Sequence, residues 1–204
     1  MILSTDNKQA FDYFKKVDKV LYRQMVAIGI IERSGIEDPF TALVSSILSQ
    51  QISTKAADTI YTRLIDKVGT ITPSNLLKLG REDLKNIGIS YRKTDYILTL
   101  CERVVNKEID FNKLKKLSNE EIIKELITLP GVGIWTVEML LLFSFRRDNV
   151  ISYNDLMIRE GMKKLYGYSS LDKALFNKHV SIYKDYASLV SLYLWHISKL
   201  EELY

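Results

Sequence analysis

Scarcity is the first information in this 204-residue chain. It has one cysteine, Cys101, so no disulfide framework can form, and no zinc or iron–sulfur site needing several thiolates can be built. Three prolines and nine glycines are too few for a turn-rich all-β chain. The longest unbroken apolar run, Met139 to Phe143, falls far short of a membrane span. The first eight residues turn polar after three positions and lack the apolar core of a signal peptide. A soluble, reduced, cytoplasmic protein with no membrane partner is therefore expected. Neither sign of charge dominates. Twenty-nine basic against 25 acidic side chains leave a net +4, which suits a polyanionic partner without requiring one.

What remains is ordinary globular material. An apolar fraction of 47% and a charged fraction of 26% exclude wholesale disorder. A chain of this length buries roughly 70% of its unfolded surface without staples. The apolar periodicity is helical. Phe11, Phe14, Val17, Leu21, Met25 and Ile28 step by three or four, predicting one long opening helix broken at Ser34-Gly35. Phe40 to Leu48 is apolar on most sides. Ser53 or Thr54 caps a helix that Gly69 ends, short helices cover 74–79 and 81–86, and Ser90 opens another. Ser118 and Glu121 form a capping-box start for a helix to about Ile127. Ile134 to Phe145 is strongly apolar. Asn154 or Asp155 starts a helix ending near Gly167, and helices over about 170–178 and 186–201 finish the chain. No strand ladder and no repeat is visible. The expected fold is all-α, with about ten helices.

The sharpest local pattern is Leu129-Pro130-Gly131-Val132-Gly133 between two helices. Pro130 fixes the backbone and donates no N–H, while Gly131 and Gly133 permit unusual angles and remove side-chain bulk. Bare N–H groups at a helix start bind an anion, and a DNA phosphate is the obvious one. An ordinary helical hairpin turn is the alternative.

The turn is followed by Trp135, a helix, and Ile151-Ser152-Tyr153-Asn154-Asp155-Leu156. Upstream lie Ala42 to Ala57 with its Gln50-Gln51 pair, and Gly88-Ile89-Ser90-Tyr91-Arg92-Lys93; downstream lies Leu192-Tyr193-Leu194-Trp195. In this order the motifs resemble the helix-hairpin-helix DNA glycosylase superfamily, most closely the bacterial 3-methyladenine DNA glycosylase II branch, over roughly residues 35–198. The resemblance implies one glycosylase domain over residues 1–204, with two interleaved helical subdomains, a cleft between them, and the hairpin at about 118–145. Met1 to Ile31 is too short and too helical for the β-rich N-terminal domain of the two-domain relatives.

It also implies roles. A catalytic aspartate follows the family's hairpin by about twenty residues, where Asp155 stands. Cleaving an N-glycosidic bond builds positive charge on the sugar, and a fixed carboxylate stabilises it. A charge pair at about 4 Å is worth roughly 1 kcal/mol in water and about 4 at an effective dielectric near 20, so excluding water matters. The structural alternative for Asp155 is a plain helix N-cap, and the two roles can coexist. Gln51 falls at the position of the wedge that fills the gap left by a flipped base, with Gln50 bracing the loop; both could instead be exposed residues at a helix end. Trp135 offers a flat face to an alkylated, positively charged purine, with Tyr186, Met139 and Leu156 as further pocket residues. The competing place for Trp135 is the core, which is also the expected place of Trp195. Arg92, Lys93 and Lys55 are candidates for phosphate contact or simple solvated charges.

Bifunctional members of the superfamily carry a lysine two residues after the second hairpin glycine. Here that residue is Trp135, flanked by Ile134 and Thr136, and no amine is available for a Schiff base. The iron–sulfur branch needs a cysteine cluster. Both absences imply a monofunctional glycosylase that uses water, needs no cofactor, and leaves an abasic site in double-stranded DNA. The family's hairpin also holds a monovalent cation, Na+ or K+, through backbone carbonyls that correspond to Ile127, Leu129 and Val132. Asn154 replaces an acidic residue found in many relatives. A monomer acting on alkylated purines such as 3-methyladenine is expected. The alternatives are a glycosylase for another damaged base and a non-catalytic helix-hairpin-helix module that grips DNA through phosphates alone.

Overall fold

Most helices in this chain begin where a short polar side chain can accept a backbone N–H. The computed structural model describes residues 2–204. Strand β1 (Ile2–Ser4) precedes α1 (Lys8–Val17), α2 (Lys19–Ile28) and β2 (Glu32–Ser34). Then come α3 (Pro39–Ser49), α4 (Thr54–Val68), α5 (Pro73–Asn86), α6 (Tyr91–Val105), the single turn α7 (Phe111–Leu114), α8 (Asn119–Leu126) and α9 (Ile134–Phe143). Helices α10 (Leu156–Tyr166) and α11 (Lys173–Tyr183), a 3-10 turn at Lys184–Tyr186, and α12 (Ala187–Ile197) complete the chain. Asn7, Asp18, Asp38, Ser53, Thr72, Ser90, Asp110, Ser118, Asp155 and Asp172 each cap the helix that follows. Each such cap is worth about 1 kcal/mol. The Ser118–Glu121 capping box is present with both of its hydrogen bonds.

The all-α expectation holds, with two corrections. The single opening helix is two, because Asp18 breaks it. Asp18 is non-helical, with φ −147° and ψ 85°, its Oδ1 takes the Leu21 N–H, and its Oδ2 takes the Tyr166 hydroxyl at 2.5 Å. That tertiary pull overrides a continuous apolar stripe. A minor two-stranded sheet also exists: β1 and β2 pair antiparallel, Leu3 opposite Arg33. Three residues per strand are too few to show an alternation. Helix α5 is bent at Gly80, whose φ of 77° interrupts it where two short helices are expected.

By contact the chain divides into two units, Met1–Gly35 with Leu141–Tyr204, and Ile36–Leu140. The first is built on Phe14, Leu21, Met25, Ile158, Met162, Phe176, Tyr183 and Tyr193, all buried. Helices α10 and α12 meet closely because Gly161 has no side chain; a Cβ there would stand 2.1 Å from the Leu194 carbonyl oxygen. Tyr193 donates to the Gly29 carbonyl at 2.9 Å, and its hydroxyl lies 3.0 Å from Thr5 Oγ1, anchoring the N-terminal segment. Tyr166 joins Asp18 to Tyr183, whose hydroxyl is 3.0 Å away, and the His179 ring stacks on Tyr166 at 4.0 Å.

In the second unit, α5 lies along α6, and α3 packs on α4 and α6 around Leu43, Ile47, Leu64, Leu84, Ile97 and Leu100. Cys101 is buried here, and burial pushes its thiol up to about 12, so it stays protonated and chemically quiet. Among the described residues, no helix is long and apolar enough to cross a membrane.

Two outcomes follow. Gly161→Ala should cost about 3 kcal/mol or more, read from the urea midpoint, because the methyl meets backbone that cannot step aside. Burial first, then neighbouring Tyr183 and Asp18, pushes the Tyr166 phenol far above its ordinary range; burial likewise raises Tyr183 and Tyr193. The unfolded chain releases these protons near pH 10.0, while the folded chain holds them. Their contribution to stability should therefore be level in pH up to that point and fall as pH rises beyond it. Urea unfolding between about pH 8 and pH 11 should show a shallower decline in Tyr166→Phe.

Candidate functional site

The turn at 129–133 is built from backbone. Gly131 has a φ of 78°, and a Cβ there would lie 2.2 Å from Tyr96 Cδ2. Gly131 is therefore glycine for both angle and space. Gly133 differs from expectation: its φ is not positive, and a Cβ added there would meet nothing. Its carbonyl accepts the Val137 N–H at 3.1 Å, placing it as the residue before α9. Lacking a side chain, it cannot cap that helix as Ser118 caps α8 or Asp155 caps α10. Val132 is buried and donates to the Leu129 carbonyl at 3.2 Å, closing the turn.

The Gln50-Gln51 pair lies beside this turn. Gln50 Nε2 donates to the Gly131 carbonyl at 2.7 Å. Gln51 is exposed with a φ of 57°, a left-handed conformation uncommon for a non-glycine residue. A groove of about 570 Å³ runs here, lined by Ser46, Ser49, both glutamines, Arg92, Lys93, Tyr96, Gly131 and Trp135. No acidic side chain lines it, so its field favours an anion. Trp135 is 45% exposed, which places it at the surface and not in the core. Arg92 is exposed, whereas Lys93 donates to the Leu48 and Gln50 carbonyls. Burial first, and Arg92 second, lower the Lys93 pKa from its ordinary value.

Asp155 belongs to the other unit. It is 7% exposed, and its Oδ1 accepts the Ile158 N–H at 3.0 Å as the cap of α10. The segment leading to it is held by α12: Val150 N–H donates to Ser188 Oγ, and Ser191 donates to the Val150 carbonyl, both at 3.0 Å. The carboxylate is thus withdrawn from bulk water at the positive end of a helix. Leu156 and Met157 beside it are exposed, at 58% and 38%, as is Asn154.

The other expected pocket residues fall in different surroundings. Met139 is half-buried in α9. The Tyr186 ring packs on Tyr13 at 5.3 Å and on Phe14 at 5.9 Å, against the first unit's core. The Trp195 ring stacks on Phe143. Ile127 is the residue that ends α8, where carbonyls lack intrahelical partners, and Leu129 is buried. Among the described residues, no group of three His, Cys, Asp or Glu could hold a metal ion. Sequence reasoning did not assign Tyr96, which lies beneath Gly131, and it offered Lys93 as a phosphate contact or solvated charge, whereas its ammonium is held by main-chain carbonyls.

The turn separates its two glycines experimentally. Gly131→Ala should lose about 2–4 kcal/mol in urea unfolding, since strain and collision add. Gly133→Ala should stay within about 1 kcal/mol of the parent.

Residues 44–183 match the HhH-GPD superfamily of base excision DNA repair proteins. The chain is 34% identical over 171 residues to DNA-3-methyladenine glycosylase 1 of Schizosaccharomyces pombe, covering 81% of this chain and 75% of that protein. Its structure is similar to the crystal structure of a DNA-3-methyladenine glycosidase from Bacillus halodurans, with a TM-score of 0.88, 34% identity, and coverage of 98% and 93% of the two chains. It is also similar to a 3-methyladenine DNA glycosylase of S. pombe in complex with abasic DNA, with a TM-score of 0.80, 30% identity, and coverage of 95% and 98%.

Proposed function

Because the chain belongs to the HhH-GPD superfamily of base excision DNA repair proteins, we propose that it is a monofunctional DNA glycosylase acting on alkylated purines such as 3-methyladenine. It binds damaged double-stranded DNA as a monomer, flips the lesion out, and hydrolyses its N-glycosidic bond. The observation that carries the reading is a buried carboxylate, Asp155, capping a helix within the matched residues.

The chemistry assigned to these groups is simple. The bond from the sugar C1′ to the base nitrogen breaks with its electron pair leaving on the base. An alkylated purine that already carries positive charge departs neutral. The sugar becomes cationic, and Asp155 stabilises that charge from a site with little water. Water then adds to C1′ and gives up a proton, leaving an abasic site. Trp135 supplies a half-exposed aromatic face for a cationic base, and Gln51 enters the vacated stack. Main-chain N–H groups of Gly131 and Gly133 take a phosphate, the Val132 N–H being spent on the Leu129 carbonyl.

The absence of strand cleavage belongs to the same proposal. Cleavage through an imine needs a free amine at the sugar. Trp135 occupies the position of the family's lysine, and Lys93, in the same groove, has its ammonium on two carbonyls. No redox or metal cofactor is required. A monovalent cation, Na+ or K+, fits the turn: the carbonyls of Ile127, Leu129 and Val132 would hold it, Ile127 supplying a helix-end carbonyl and Leu129 its second lone pair. When bound, it supplies positive charge to a DNA phosphate.

Asp155→Asn tests the carboxylate, because the amide oxygen can still cap α10. On methylated duplex DNA, base release should fall about a hundredfold or more with binding retained. Retained release would remove Asp155 from the chemistry. If the parent protein releases nothing from that duplex, duplexes carrying uracil, hypoxanthine or 8-oxoguanine separate a different lesion from a binding module.

A further inference from the structure

Helix α3 ends at the Gln50-Gln51 pair, where the helix runs out of N–H donors for its last carbonyls. Ser49 Oγ meets the Ser46 oxygen and the Gln50 N–H meets that of Ile47, while Lys93 serves those of Leu48 and Gln50. Its Nζ lies 2.8 Å from the Leu48 oxygen and 2.6 Å from the Gln50 oxygen. Gln50 in turn reaches the Gly131 carbonyl at 2.7 Å. Gly131 rests on the Tyr96 ring, which stands three residues beyond Lys93 on the same face of α6. One helix therefore supports both the glutamine loop and the hairpin turn. Between these supports Gln51 is held exposed in a left-handed conformation that a side chain of this type seldom adopts unaided.

A lysine on a DNA-binding surface is ordinarily read as a phosphate contact. Lys93 is half-buried, its ammonium is committed to two main-chain oxygens, and burial lowers its pKa. Arg92, the exposed neighbour in the groove, is better placed for phosphate.

We propose that Lys93 is a positioning residue for base flipping: by holding the Leu48 and Gln50 carbonyls it presents Gln51 already formed to the duplex, in register with the Gly131 turn. This rests on the reading of Gln51 as the wedge. Preforming the loop removes an ordering step from flipping, so loss of Lys93 should tax the extrusion of a paired base and spare a base that is already unpaired.

The test uses the full chain with Lys93→Met, which keeps the stem and removes the donors, and Lys93→Arg, which keeps them. Three readouts are taken. The first is fluorescence of 2-aminopurine opposite a tetrahydrofuran abasic analogue, which rises when a side chain enters the stack and needs no catalysis. The second is single-turnover release of methylpurine from a duplex and from the same strand unpaired. The third is affinity for undamaged duplex as a function of salt.

Lys93→Met should lose most of the fluorescence rise and slow release from the duplex about tenfold or more. Release from single strand and the salt slope should be unchanged, and Lys93→Arg should recover most of the loss. Three results would overturn the proposal: an unchanged fluorescence rise; a weaker affinity for undamaged duplex with the salt slope reduced by about one, which marks a phosphate contact; or equal slowing on paired and unpaired substrate, which marks a merely structural residue. If the parent releases no methylpurine at all, the glycosylase reading fails, while the fluorescence comparison still decides the role of Lys93.

Discussion

The Gly131 backbone lies so close to the Tyr96 ring that no side chain fits between them, and the candidate DNA surface of its unit is arranged around that contact. The close approach sets where the turn carbonyl points, and Gln50 takes that carbonyl. Gln50 thereby fixes the end of α3, where the Leu48 and Gln50 oxygens go to Lys93. Gln51 and the start of α9 are then consequences of a few hydrogen bonds and one aromatic support. Glycine at 131 serves both angle and packing, whereas glycine at 133 leaves main chain uncovered without strain.

The unit that carries Asp155 solves a different physical problem. A carboxylate that is largely out of water needs donors, and the helix N-terminus supplies one in the Ile158 N–H. The serines of α12 hold the incoming segment, and the missing side chain at Gly161 lets α10 sit tightly on α12. The Asp18–Tyr166–Tyr183 chain ties α2 to α10 and α11 through buried hydroxyls. Such a network rigidifies when every member is satisfied.

Much of this was legible in the residues. Caps at Ser53, Ser90, Ser118 and Asp155, and the stops at Gly69 and Gly167, are local chemistry, and local chemistry reads well from a sequence. The break at Asp18 was not legible, because its second carboxylate oxygen answers to Tyr166, distant in the chain. The β1–β2 pair was too short to show a period. At the candidate site, the glycine turn, the glutamine pair and Asp155 stood out by type and spacing. Tyr96 did not, because a tyrosine on an amphipathic helix looks like any other, and Lys93 stood out only as a basic residue, not as a brace. Only the distances to Gly131, Leu48 and Gln50 give them a role. The ring contacts of Tyr186 with Tyr13 and Phe14 join residues far apart in the chain and leave no local signal.

The most direct measurement is a product analysis of methylated duplex DNA after incubation with the full chain. Mass spectrometry would identify the released base, and gel electrophoresis with and without alkali would follow the strand. Free methylated purine, with a strand that breaks only after alkali treatment, is the expected result of a water-using glycosylase with Trp135 in place of an amine. Strand breakage without alkali, together with a borohydride-trapped protein–DNA adduct, would contradict it, as would the absence of any released base.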